Sequence, residues 1–150
     1  MKRYIVAAVV CLVAMPALAD EGAIIKIRAN ADVATTMDQL EAAVSDAGAT
    51  VFARVDHAAG AQTVDMSLDP AELLVFGNPQ LGTPAMQDDP LAGLYLPLRV
   101  LVYQDADGQV WLAYHDPGEM FGDLSMPDNA DYIGQISGAL ANLTGAAASE

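Results

Sequence analysis

Twenty acidic side chains against six basic ones give this 150-residue chain a formal net charge of −14. Such a balance excludes nucleic-acid binding through phosphate neutralisation, which needs lysine and arginine, and opposes docking on anionic membrane surfaces. It agrees with an exported protein kept soluble by an acidic surface, or with a field that attracts cations or a basic partner.

The chain opens with export features. Lys2 and Arg3 form a basic stretch, residues 4–15 are an apolar run, and Ala17-Leu18-Ala19 has the small-x-small pattern read by a signal peptidase. Cleavage is expected between Ala19 and Asp20, which places the protein in the periplasm or outside the cell. The apolar run is shorter than the ~20 residues a span requires, so no membrane insertion is expected after cleavage. Cys11 follows Val10, not the small residue a lipid-attachment box needs, and it is the chain's one cysteine. The exported chain then has no disulfide or thiolate chemistry. Residues 20–150 form a single domain, with Lys26, Arg28, Arg54 and Arg99 as its bases and length enough for a core.

Residues 23–29 alternate loosely and predict a first strand. Asn30 or Asp32 can cap a helix whose stripe is Val33, Met37, Leu40, Val44 and Ala47, with Gly48 as terminator. Residues 50–56 read as a strand. Strict alternation puts Val51, Val55 and His57 on one face, and Phe52, Arg54 and Asp56 on the other. Residues 57–61 read as a flexible connection, and 63–68 as a loop or short strand. Residues 73–76 predict a buried strand, ended by a Gly77-Asn78-Pro79 turn. Residues 79–97 read as a short helix plus irregular loop; five of the chain's eight prolines lie between Pro70 and Tyr103. Strands 98–104 and 109–115 flank an Asp105–Gly108 hairpin turn. Residues 116–129 read as loop. Ile133, Ile136, Leu140 and Leu143 mark a closing helix, where Gly134 and Gly138 leave a thin spot for another backbone; 146–150 read as a frayed tail. The order predicts an α+β domain: one compact, mainly antiparallel sheet covered on one face by two main helices.

With these pieces in order, the chain resembles the domain-of-unknown-function 302 family (DUF302). The matching motifs are Ala34-Thr35-Thr36, VFARVDHAAGAQ (51–62), LLVFGNPQLGTPAM (73–86), LAGLYLPLRVLVYQDADGQVWLAYHDP (91–117) and the final helix. The resemblance spans nearly all of the chain after the leader and fades over 121–131. Arg99 stands where lysine is more usual, which keeps the charge and changes the hydrogen-bond geometry. The resemblance implies a compact α+β domain that can pair into homodimers, and no established activity.

Candidate chemistry is sparse. Each histidine abuts an aspartate, Asp56-His57 and His115-Asp116, at predicted strand ends. If the ends met, these four residues would present a donor set for Cu or Zn; single hydrogen-bonded surface histidines are the plainer alternative. Met37, Met66, Met86, Met120 and Met126 offer thioethers suited to Cu(I), yet they form no tight cluster, and packing accounts for them better. No GxSxG and no serine beside a histidine favours a nucleophile, so a hydrolase or redox enzyme is the third reading. Asp105-x-Asp107-Gly108 departs from a calcium loop in its glycine position and in lacking the later glutamate. Arg99, on an apolar strand, fits either a salt bridge or a clamp for a small anionic ligand. The leading expectation is a non-catalytic ligand-binding or interaction domain without a cofactor. Its pocket is expected around Phe76, Gly77, Asn78, Pro79 and Arg99, with His57 nearby.

Overall fold

The computed structural model describes residues 24–127 and 129–149. The expected signal peptide and its cleavage point lie outside the described residues. In chain order the elements are β1 (Ile24–Arg28), α1 (Val33–Asp46), β2 (Thr50–Asp56), α2 (His57–Gln62), β3 (Ala71–Gly77), α3 (Pro79–Asp88), a 3-10 turn (Pro90–Leu94), β4 (Leu98–Gln104), β5 (Val110–His115), α4 (Pro117–Met120) and α5 (Asp131–Ser149). The five strands form one fully antiparallel sheet in the order β1-β5-β4-β3-β2. α1 and α5 pack on each other and on one face of it, α1 over β2, β3 and β4 and α5 over β1. The expected α+β architecture is observed.

Alternation decides what the sheet buries. Ile25 and Ile27, Leu74 and Phe76, Leu98, Val100 and Val102, and Val110, Leu112 and Tyr114 point at the helices. They meet Val33, Met37, Leu40 and Val44 of α1 and Tyr132, Ile136 and Leu140 of α5. Asp32 caps α1 by accepting from the Thr35 amide at 2.8 Å. Gly48, at φ +73°, takes the left-handed conformation that lets the chain leave the helix.

Four local expectations are corrected. Residues 57–62 are a short helix, not a flexible connection, because the Asp56 carboxylate caps it at the Ala59 amide. β2 carries an irregularity between Val51 and Ala53. Val51 therefore packs on the core while Ala53 and Val55, opposite Val75 and Leu73, face outward; a bulge has this effect on strict alternation. Gly77 is the last residue of β3 without positive φ, and Asn78 is the N-cap of α3 with Pro79 at its first position, so the segment is a strand-to-helix junction. α5 runs to Ser149: Ala147 and Ala148 are buried, and the Ala148 carbonyl accepts from the Asn30 amide. Gly134 and Gly138 face open space.

Residues 121–127 and the start of α5 are pinned by side chains. Phe121 is buried and meets Tyr95 edge to face at 6.0 Å, Leu124 and Met126 pack on the core, and the Tyr132 hydroxyl donates to Asp88 at 2.8 Å. Burial, reinforced by Asp88, pushes the Tyr132 hydroxyl pKa up to about 12. The β4–β5 hairpin turns at Gly108, φ +81°, as its spacing predicts. Asp105 Oδ1 accepts from the Asp107 and Gln109 amides and Oδ2 from the Trp111 indole at 2.7 Å; these bonds, the indole's first, hold its carboxyl below the ordinary 3.8. A lowered carboxylate pKa supplies stability that is complete above the ordinary value and lost as pH falls through the lowered one. The emission of Trp111, the chain's one tryptophan, is accordingly expected to stay constant from neutral pH down to 3.8 and to change below it. A transition centred above 3.8 would separate the indole from Asp105.

Candidate functional site

An apolar cavity of about 360 Å³ opens beside the β3–α3 junction. Its size falls in the range of small-molecule sites, ~300–1,000 Å³. The sheet contributes Phe76, Gly77 and Leu98; α3 contributes Pro79, Leu81 and Met86; Leu96 and Pro97 precede β4; and α5 contributes Ile136, Ala139 and Leu143. Phe52 and Met86, both largely exposed, form its rim. The Phe52 projection is a product of the β2 irregularity. Asn78 and Thr83 are the polar side chains of the lining, which holds no charged residue. Asn78 Oδ1 already accepts from the Gln80 amide at 2.9 Å, so it serves as a helix cap here.

Glycines let the walls of the cavity approach one another closely. A Cβ added at Gly82 would lie 3.3 Å from Leu96, and one at Gly77 would lie 3.4 Å from Phe52. Pro79 begins α3 without a wasted amide, and Asp89 accepts from the Leu91 amide to start the 3-10 turn. The Tyr132–Asp88 bond ties the far end of α3 to α5, fixing two of the cavity walls.

The sequence-derived pocket is divided by this geometry. Phe76, Gly77, Asn78 and Pro79 line the cavity. Arg99 does not: Leu98 and Val100 on either side of it are buried beneath the helices, so Arg99 is exposed on the opposite face of the sheet. His57 lies beyond the far end of β2, whose near end, Thr50, pairs with Gly77. Among the described residues Arg99 forms no salt bridge; the ion pairs are those of Arg54 with Asp38, Glu41 and Glu72.

The two histidines do not converge. β2 and β5 are separated by β3 and β4, three strand spacings or about 14 Å. β2 and β5 also run in opposite directions, so His57 and His115 stand at opposite ends of the sheet. One metal ion with ~2 Å ligand bonds cannot join them. Both neighbouring carboxylates cap helices: Asp56 caps α2, and Asp116 caps α4 by accepting from the Gly118 and Glu119 amides. Among the described residues no group of three or more histidine, cysteine or acidic side chains is placed to hold a metal. Of the methionines, Met37 is in the core, Met126 packs on it with its sulfur 3.1 Å from the Tyr132 hydroxyl oxygen, and Met86 belongs to the cavity rim.

Over 103 residues the chain is 43% identical to the fluoride-specific ion channel FluC 1 of Brucella suis biovar 1, covering 69% of this chain and 40% of that protein. It is equally identical to FluC 2 of Brucella melitensis biotype 1, covering 38% of it. The chain thus spans about two fifths of the length of the curated relatives it matches. Among the described residues no helix is long and apolar enough to cross a membrane. The crystal structure of an uncharacterized conserved DUF302 protein from Bacillus stearothermophilus superposes with a TM-score of 0.76 at 20% identity, covering 84% of this chain and 98% of that one. The family described as domain of unknown function DUF302 matches residues 25–146, and the chain belongs to that family.

Proposed function

We propose that the protein is an exported, non-catalytic binding domain whose cavity takes a small uncharged apolar molecule, or the apolar part of a larger one. The observation that carries this reading is the lining: a cavity of about 360 Å³ walled by Phe76, Leu81, Leu96, Leu98, Ile136 and Leu143 without a charged side chain. Water gains little in such a space, whereas hydrocarbon gains ~25 cal/mol for each Å² withdrawn from solvent. No acid or base lines the cavity to activate the Thr83 hydroxyl, and Asn78 is engaged as a cap. Binding without chemistry suits that equipment. Export is supported by the N-terminal basic-apolar-small pattern; the intact mass of the secreted protein should correspond to a chain beginning at Asp20, and a full-length mass would reject cleavage.

The relatives named for fluoride conduction carry most of their length outside the matched stretch. Conduction through a bilayer needs spanning helices or a closed barrel. We read the matched stretch as a separate binding module within those proteins, and we do not extend conduction to this chain.

The neutral fluorophore N-phenyl-1-naphthylamine is a direct probe. It should brighten on binding the wild-type protein. Ala139→Phe, which projects a ring into the cavity, should weaken binding about tenfold or more, the equivalent of ~1.4 kcal/mol. Arg99→Ala should leave it unchanged. Full binding by a folded Ala139→Phe variant, or loss in Arg99→Ala, would reject this site.

A further inference from the structure

The sheet face away from α1 and α5 has a composition that a solvated face does not need. Antiparallel sheets that face water alternate apolar inward with polar outward. Here the outward positions of the three inner strands include Leu73, Leu101 and Ala113 in one cross-strand row, Tyr103 and Trp111 in the next, and Val75 opposite Arg99. Val55 and Ala53 extend the surface over β2. None of the described elements packs as a layer on this side.

Its charge is the reverse of the molecule's. Lys26 and Arg28 of β1 share the outward parity of Ala113 and Trp111, their partners on β5. Arg99 points outward from the central strand β4, and continuing the β4–β5 register by two residues brings it opposite His115. No aspartate or glutamate occupies an outward position on the five strands. Asp105, at the hairpin rim, is engaged with the Trp111 indole and feels the charge of Arg28. Lys26 lies 5.8 Å from the Tyr103 ring centre and Arg28 donates to Gln109; among the described residues neither they nor Arg99 form an ion pair with an acid. In a chain of 20 acids and six bases, three of the bases are gathered on a face whose strand positions carry no acid.

We propose that this face docks an acidic polypeptide surface, one with an apolar centre to cover Leu73, Val75 and Leu101 and carboxylates to meet Lys26, Arg28 and Arg99. Complementary charge selects such a partner over others. A second copy packed face to face is disfavoured. An isologous interface repeats the same patch on both sides, so the Arg99 guanidinium groups of the two central strands would approach without an outward carboxylate to receive them. An anionic bilayer is disfavoured by the half-buried setting of Leu73, Val75 and Leu101, which leaves little apolar side chain to insert below the headgroups.

Trp111, on the face itself, reports docking without a label. The probe is a three-heptad amphipathic peptide with leucine at the a and d positions and glutamate at the solvent positions; its controls are the same peptide with lysine for glutamate, and phosphatidylcholine vesicles containing phosphatidylglycerol. The glutamate peptide should shift Trp111 emission, with affinity that falls as salt is raised. Lys26→Glu combined with Arg99→Glu should weaken it about tenfold or more. That variant should keep its circular dichroism and its affinity for N-phenyl-1-naphthylamine, which separates this face from the cavity. The proposal is overturned if the glutamate peptide produces no shift, if the lysine peptide binds as well, or if vesicles alone produce the shift. It is also overturned if emission follows the protein's own concentration without peptide, the signature of a second copy.

Discussion

Phe76→Ala is expected to lower the free energy of unfolding by about 3–5 kcal/mol, the range for truncating a fully buried aromatic. Phe76 is 2% exposed on β3 and forms the floor of the cavity. Its ring is flanked by existing empty space, so neighbours have few contacts with which to collapse onto the vacancy, and the loss should fall in the upper part of that range. Phe76→Leu should lose about half as much, since most of the apolar volume is retained. Urea titration checks both: the midpoint should fall while the slope stays constant, as expected when the folded and unfolded surfaces are unchanged. A loss below about 1 kcal/mol for Phe76→Ala would mean that the ring is not packed as described.

Arg54→Ala is expected to destabilise by about 1.5–3 kcal/mol, the range for charged hydrogen bonds that leave a partner behind. Arg54 is the inward-facing base of β2. Its Nε donates to Glu72 of β3, and one terminal nitrogen meets Asp38 and, at 3.3 Å, Glu41 of α1. The guanidinium thereby clamps two strands to a helix, and Glu72 raises its pKa above the ordinary arginine value. The three acids do not contribute equally. The Glu72 side chain is 14% exposed and that of Asp38 71%, so solvent screens the Asp38 pair and most of the loss should come from Glu72. Adding Glu72→Gln to Arg54→Ala should recover part of the stability, because the stranded charge is removed. Thermal melts of the four-member cycle measure the coupling; strict additivity would show that the clamp carries no energy of its own.

Legibility in the sequence followed the range of the interactions. Strands 50–56 and 98–104 were readable because β-branched and aromatic runs end at turn residues, and the hairpin was readable because Asp105 and Gly108 are local turn chemistry. The same reasoning misread Asp56 and Asp116. An aspartate beside a histidine can ligate a metal or cap the next helix, and only the hydrogen bonds to the Ala59 and Gly118 amides decide. The position of Arg99 was legible after all: Leu98 and Val100 alternate around it, so a strand burying them must turn Arg99 away from the side on which Phe76 points. The opposed directions of β2 and β5, which part the histidines, depend on strand order and leave no local trace. The Phe52 irregularity and the burial of Ala147 and Ala148 are likewise tertiary. The cavity was half visible. Phe76 to Pro79 marked its entrance through the strand end, cap and first-turn proline. Leu81, Leu96, Ile136 and Leu143 had no common signal, since they come from three separate segments and meet through packing alone.

The central claim is that the cavity beside the β3–α3 junction is an apolar binding site, and a crystal soaked with bromobenzene tests it most directly, because anomalous scattering locates bromine independently of any assumed pose. Empty apolar cavities admit such neutral rings. A bromine peak is expected between Phe76, Leu96 and Ile136, absent from crystals of the Ala139→Phe variant. A cavity filled by ordered water with no bromine in it, or bromine confined to the outward sheet face near Arg99, would contradict it.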